Sequence, residues 1–338
     1  MEMKFVELMK SARVIVEDCM KLKPEEEALI VTDTRIADYF GAEALISAIM
    51  GAIKAVGAEP NLITYTPMTH PDKKITRVAA AAMKQADAIF TFPTESITHA
   101  QATREALDYG ARVIMFGCGS NLGRTDDMIY RLLPQSKKEI DDVAELTLRL
   151  KDYFDNGQTV KVTSKKGTDL TMEIGGLKMF YNTGICDKPG MLQFMPTGQT
   201  AIGVNPGTAN GKLVVDASIS PIHKPLSEPI IFSIKDGYVI SIEGDGDAQE
   251  YKKMIESQND PLAFHIAEVG LGTNPKAKLV GEPVEDERIY GSAHIGIGSN
   301  TGFGGTVAAG GWHSDGIFLN ATMEIDGKVI VENGVFKI

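Results

Sequence analysis

The residues best suited to chemistry gather late in the chain. Three of its six histidines, His265, His294 and His313, fall between positions 265 and 313, with Glu268 among them and Asp315 just beyond. His313 and Asp315 are two residues apart, so on a β-strand their imidazole and carboxylate project from one face. His294 is the main polar group of Ser292-Ala293-His294-Ile295-Gly296-Ile297-Gly298. Glu268 is an acid inside the apolar, glycine-rich run Ile266-Ala267-Glu268-Val269-Gly270-Leu271-Gly272. Burying a carboxylate without a partner is costly, so acids in such surroundings have an Arg, a Lys or a metal ion beside them. Two imidazoles and two carboxylates suit zinc, cobalt, manganese or iron, and they leave coordination positions for water and substrate. The competing reading is a self-satisfied polar network in a β core.

Weaker candidates lie upstream. Thr98-His99, with Arg104 and Glu105 further along, opens a helix at the carboxyl end of an expected strand, where open α/β sheets place their sites. A histidine there could act on substrate, cap the helix or face solvent. Gly117-Cys118-Gly119-Ser120-Asn121-Leu122-Gly123 also follows an expected strand. It has neither the glycine spacing of a dinucleotide fingerprint nor the Lys-Ser/Thr of a phosphate loop, and it reads as an ordinary strand-to-helix turn. Glu243-Gly244-Asp245-Gly246-Asp247 lacks the length and ordered ligands of a calcium loop and reads as a solvated turn.

Two kinds of element must position these groups. Short apolar runs at 28–32, 61–65, 88–92 and 112–116 suit strands buried on both faces, and Ala-rich stretches at 41–56 and 75–85 carry helical spacing. This alternation predicts an α/β N-terminal domain over residues 1–157, a parallel sheet with flanking helices, closed by a long helix at 137–154. From about Thr159 the pattern becomes β. Runs at 160–164 and 170–174 bracket a Lys-Lys-Gly turn, and runs at 230–235 and 238–242 bracket Asp236-Gly237. Asp-Gly tolerates the positive φ of a two-residue hairpin turn, and the device recurs at Asp326-Gly327. Residues 158–338 therefore read as a strand-rich α+β metal-binding domain.

Composition narrows the partners. The 338 residues carry 34 Lys+Arg against 45 Asp+Glu, a net charge of −11, and 43% are apolar. That balance argues against nucleic acid or an anionic membrane as partner, since either needs a basic patch. No run approaches the ~18 apolar residues of a membrane span. Cys19, Cys118 and Cys186 are odd in number and far apart, which excludes a disulfide framework and a cysteine zinc cage and fits a reducing compartment. A cytoplasmic location is expected.

The strings Ala267-Glu268-Val269-Gly270-Leu271-Gly272-Thr273-Asn274-Pro275, Gly291-Ser292-Ala293-His294-Ile295 and His313-Ser314-Asp315-Gly316 carry a resemblance, with Pro196-Thr197-Gly198 and Ala209-Asn210-Gly211-Lys212-Leu213 upstream. As an ordered set they resemble the aminopeptidase T and aminopeptidase S family of metallopeptidases, over nearly the whole chain. The resemblance implies a pair of divalent metal ions, with Glu268, His294, His313 and Asp315 as ligands. Two positions depart from it: the family's Pro-x-Gly-Glu reads Pro196-Thr197-Gly198-Gln199, and its Tyr seven residues after the His294 match is Thr301. The same superfamily includes the 2,5-dihydroxypyridine ring-cleaving dioxygenases, in which two His and an Asp hold one iron(II). Their second His aligns best with Glu268, and His265 lies three residues earlier.

The main expectation is then an aminopeptidase-like metallohydrolase of peptides or small amides, using zinc, cobalt or manganese to activate water. Glu268, or a water on Gln199, would handle protons, and His99 would contact substrate from the first domain. The first alternative is a single-iron(II) dioxygenase opening a dihydroxypyridine-type ring, favoured by the neutral Gln199 and by Trp312 beside His313. The second is a non-catalytic metal- or ligand-binding relative. In each case the partner is a small peptide or small molecule, and the resemblance implies a homodimer.

Overall fold

The computed structural model describes residues 2–36, 41–67, 75–94, 96–98, 100–116 and 128–338. The chain divides into two compact units, Met1–Ala144 with Asn182–Thr197, and Glu145–Tyr181 with Gly198–Ile338. The sequence reading places a single crossing near residue 157.

In the first unit the apolar runs become a parallel sheet. Its strands lie in the order Glu59–Tyr65, Glu27–Asp33, Ala88–Phe92, Arg112–Phe116, Leu192–Met195. Every neighbouring pair is parallel. Ala88–Phe92 and Arg112–Phe116 are buried throughout, as strands covered on both faces must be. Two apolar clusters pack on the sheet, one including Ile30, Ile49 and Phe90, the other Val31, Ile89 and Val113. The helices Ala42–Ala55 and Arg77–Met83 fall where the Ala-rich spacing places them. The fifth strand, Leu192–Met195, is supplied by the segment that returns to this unit.

In the second unit two antiparallel sheets share one core. The larger runs Tyr238–Glu243, Ile230–Lys235, Asn210–Val215, Asp169–Glu173, Thr159–Thr163, Thr322–Ile325, Lys328–Glu332, Val335–Phe336. Both Asp-Gly turns close hairpins within it, with positive φ at Asp236, Gly237, Asp326 and Gly327. The smaller runs Ser218–Ile219, His313–Phe318, Ala293–Gly298, Ile266–Gly272, Gln199–Gly203, Phe180–Asn182. Val162, Leu170, Met172 and Phe232 of the larger sheet and Ile202, Val269, Ile295 and Phe318 of the smaller pack into that core. Among the described residues no helix is long and apolar enough to cross a membrane.

Candidate metal centre

The antiparallel register of the smaller sheet assembles the candidate residues. Glu268 pairs with Gly296, which pairs with Asp315; Gly270 pairs with His294; Gly298 pairs with His313. On the other side Glu268 pairs with Gly203, Gly270 with Ala201 and Gly272 with Gln199. Cross-strand partners share a face, so Gln199, Glu268, His294, His313 and Asp315 all project from the same side of four adjacent strands. The alternate residues Val269, Leu271, Ile295 and Ile297 point into the core. Between the polar residues this face is floored by glycine. A Cβ on Gly296 would meet Glu268 Cγ at 2.4 Å and His313 Cε1 at 3.0 Å, and one on Gly270 would meet His294 Nε2 at 2.2 Å.

Glu268, His313 and Asp315 each offer a ligand atom within 4.8 Å of the others. His313 Nε2 lies 3.2 Å from Asp315 Oδ1 and 3.6 Å from Glu268 Oε1, and His294 Nε2 lies 3.7 Å from the same Glu268 oxygen. Yet Glu268 Oε2, Asp315 Oδ1 and both ring nitrogens of His294 are buried without a hydrogen-bond partner. Two donors bound to one cation at about 2.1 Å sit roughly 3.0–3.4 Å apart; the His313–Asp315 pair falls in that range, and the two Glu268 pairs are a few tenths of an ångström wider. His313 Nδ1 lies 2.8 Å from Ser299 O. It donates its proton there, which leaves Nε2 as the atom that could ligate a metal. The donor set fits a divalent metal ion.

Electrostatics agree. Burial pushes the Glu268 carboxyl well above the usual range, with His313 opposing. Burial alone would lower His313, but Asp315 and Glu268 hold it well above its ordinary value. Burial pulls His294 down to about 4, so its ring is neutral. Asp315 stays low despite burial because His313 stands beside it. A buried acid driven to protonate beside an imidazole driven to charge is a group of side chains whose charges a bound cation would rebalance.

Other candidates separate from this group. The Gln199 amide Nε2 donates to Glu287 Oε2. Glu287 is itself buried, and its carboxyl is raised well above normal by burial and by Asp315 and Glu268. It is a further acid of the site that the sequence reading missed, because Val284-Glu285-Asp286-Glu287-Arg288 looks like solvated charge. His265 is buried, with Nδ1 3.2 Å from Gly298 O and its ring edge-on to Tyr238. It is not among the clustered donors, and a register shift separates Ile266 from Glu268. Thr301 is exposed, its hydroxyl 3.1 Å from that of Ser299. Trp312 packs on the core near Tyr251, ring centroids 6.5 Å apart. Asp247 corrects the solvated-turn reading: it is buried, with Lys224 Nζ at 2.7 Å and Ser227 N at 2.9 Å. His99 and the 117–123 segment lie outside the described residues.

A model of the 2,5-dihydroxypyridine 5,6-dioxygenase family matches residues 7–338. The chain belongs to that family. A curated member, the 2,5-dihydroxypyridine 5,6-dioxygenase of Pseudomonas putida KT2440, is 22% identical over 94% of this chain and 93% of its own length. The solved 2,5-dihydroxypyridine dioxygenase structure from the same organism has the same fold, with TM-score 0.82, 19% identity and coverage of 98% of this chain and 97% of that one. AmpT of Thermus thermophilus shares the fold more distantly, with TM-score 0.66, 14% identity and coverage of 98% and 99%.

These findings overturn the main expectation. The chain sits with ring-cleaving dioxygenases, and the hydrolase, aminopeptidase, metalloprotease and proteolysis readings fall with the family match. The error has a physical source. Glu268, His313 and Asp315 form a strand-borne group that could hold a metal ion, and such a group does not by itself specify hydrolysis or oxygenation.

Proposed function

We propose that the protein is an iron(II)-dependent dioxygenase that opens the ring of a dihydroxylated N-heteroaromatic of the 2,5-dihydroxypyridine type. One observation carries the reading: a family match across nearly the whole chain coincides with a buried cluster of unpartnered imidazole and carboxylate donors. His313, Asp315 and Glu268 would hold the metal, with His294 as the fourth donor. Bound iron(II) would supply O2 chemistry and a chelating point for the diol, since imidazole and carboxylate ligands with open positions suit both.

The chain's own groups do the rest. Ser299 O fixes the His313 tautomer, so Nε2 would be free to hold the cation. Gly270 and Gly296 keep the floor low enough for Glu268 and His294 to converge. Gln199 holds Glu287 in one orientation, with the Arg288 guanidinium 3.7 Å from the same oxygen. Arg288 favours the charged form of that acid, against burial and the neighbouring Asp315 and Glu268. Ring cleavage by a dioxygenase places both atoms of O2 in the product and draws the electrons from the ring, so no separate reductant is required.

The test is anaerobic loading with iron(II), confirmed by metal content, followed by oxygen-uptake measurement with 2,5-dihydroxypyridine. One O2 consumed per ring opened is the expected result. Iron-loaded protein that takes up no oxygen refutes the reading.

A further inference from the structure

The donors differ in how open they are. The side chains of Glu268, His294 and Asp315 retain 1%, 0% and 11% of their exposure, whereas His313 retains 29%. The open side of the centre is therefore the His313 side, and an aromatic ring borders it. Phe303 lies with its centroid 5.8 Å from that of His313, the two planes inclined by 30°. Phe180 braces Phe303 edge-on at 6.3 Å and 81°.

The same loop builds both features. Ser299 N donates to Trp312 O at 2.8 Å and Asn300 N to Val307 O at 3.0 Å, which closes the loop. Asn300 O then accepts from Phe303 N at 3.0 Å and Gly305 N at 3.1 Å. Gly304 follows Phe303 with φ +80°, a conformation that side chains resist. On the floor opposite, a Cβ on Gly203 would meet Phe303 O at 3.0 Å, so glycine there lets the loop settle close. Phe303 itself is only half-buried. A loop tied this firmly that leaves the Phe303 ring half open beside the most accessible donor is doing more than filling the core.

We propose that Phe303, braced by Phe180, is the aromatic wall of the substrate site and the residue that selects planar heteroaromatic rings over non-planar chelators. The inference rests on the dioxygenase reading. A ring that chelates the metal from the His313 side meets the Phe303 face or edge, and offset or edge-to-face pairing rewards flatness. An aliphatic hydroxy acid with similar chelating oxygens gains nothing from it.

The experiment is anaerobic titration calorimetry of iron(II)-loaded protein with 2,5-dihydroxypyridine and, separately, with lactate. Phe303→Leu should weaken the ring's binding by about tenfold and leave lactate unchanged, and Phe303→Tyr should restore the ring. Metal content and a thermal melt accompany each variant. Should Phe303→Leu unfold, Phe303→Met fills similar volume without a π face and takes its place. If the parent protein fails to bind the ring, the dioxygenase reading falls and this inference with it. If the parent binds the ring and the variant binds it equally, or loses ring and lactate alike, Phe303 is only a packing residue and the dioxygenase reading stands.

Discussion

Gly296 gives the side chains of the proposed metal centre the room to converge. It is the cross-strand partner of both Glu268 and Asp315, and a methyl group there would meet only side-chain atoms, Glu268 Cγ at 2.4 Å and His313 Cε1 at 3.0 Å. Gly296→Ala should therefore keep its far-UV circular dichroism while losing about 100-fold in metal affinity; retained affinity would contradict the geometry. His313→Ala removes the donor that spans Glu268 and Asp315 and should cost at least as much by the same titration. Metal binding should also depend on pH. In the metal-free chain burial raises Glu268, and Asp315 and Glu268 together outweigh burial to raise His313. Both groups thus hold protons near neutrality that a cation must displace, whereas His294, near 4, is already neutral. More protons are bound without metal than with it, so affinity rises with pH, by about tenfold per unit for each proton released. Calorimetry in buffers of different ionisation enthalpy reads the released protons directly, and an affinity flat between about pH 6 and 8 would rule this out.

At the scale of elements, the strand carrying His313 and Asp315 is supported from behind as well as in front. Between them Ser314 accepts a hydrogen bond from Tyr251 Oη at 3.0 Å, and its own hydroxyl donates to Ser220 O. Tyr251 sits on the helix Gly246–Glu256, whose first turn carries Asp247. Lys224 foremost and then Ser227 N hold the Asp247 carboxyl down to about 2. A depressed acid contributes stability above its unfolded pKa and loses it as pH falls through the folded one. Asp247→Asn should accordingly cost about 1 kcal/mol at neutral pH, discounted for the exposure of Lys224. The difference from the parent should close between about pH 4 and pH 2 in denaturant melts; a difference that persists at pH 2 would exclude the ion pair as its cause. The parallel strands and the Asp-Gly hairpins were legible because local pattern determines them: buried apolar runs in one case, positive φ at two adjacent residues in the other. The alternation of His or acid with glycine at 268–270, 294–298 and 313–316 was legible too, though not the chemistry it serves. The Leu192–Met195 strand was not legible, since its place in the first sheet depends on an open strand edge far away in sequence. Glu287 was passed over and Asp247 read as solvated for a related reason, as acids in charged turns look solvated until tertiary contacts bury them.

At the scale of the whole molecule, the net charge of −11 counts Glu268 and Asp315 as full anions, although both lie where a cation would offset them. All four donors belong to the unit formed by Glu145–Tyr181 and Gly198–Ile338, and each unit has an apolar core of its own. Units with separate cores can melt separately, so metal should act on one transition and not the other. A cation that binds the folded donors and not the unfolded chain stabilises by RT ln(1 + [metal]/Kd), about 2.7 kcal/mol at a hundredfold excess over Kd. In scanning calorimetry, chelator-treated protein should show the donor-bearing unit melting earlier, and added divalent metal should move that transition upward while the parallel-sheet unit's transition stays in place. Gly296→Ala supplies the control, since it spares the core but displaces the donors, and its melt should hardly respond to metal. A metal-induced shift of equal size in parent and variant would place the stabilising ion somewhere other than the Glu268, His294, His313 and Asp315 face.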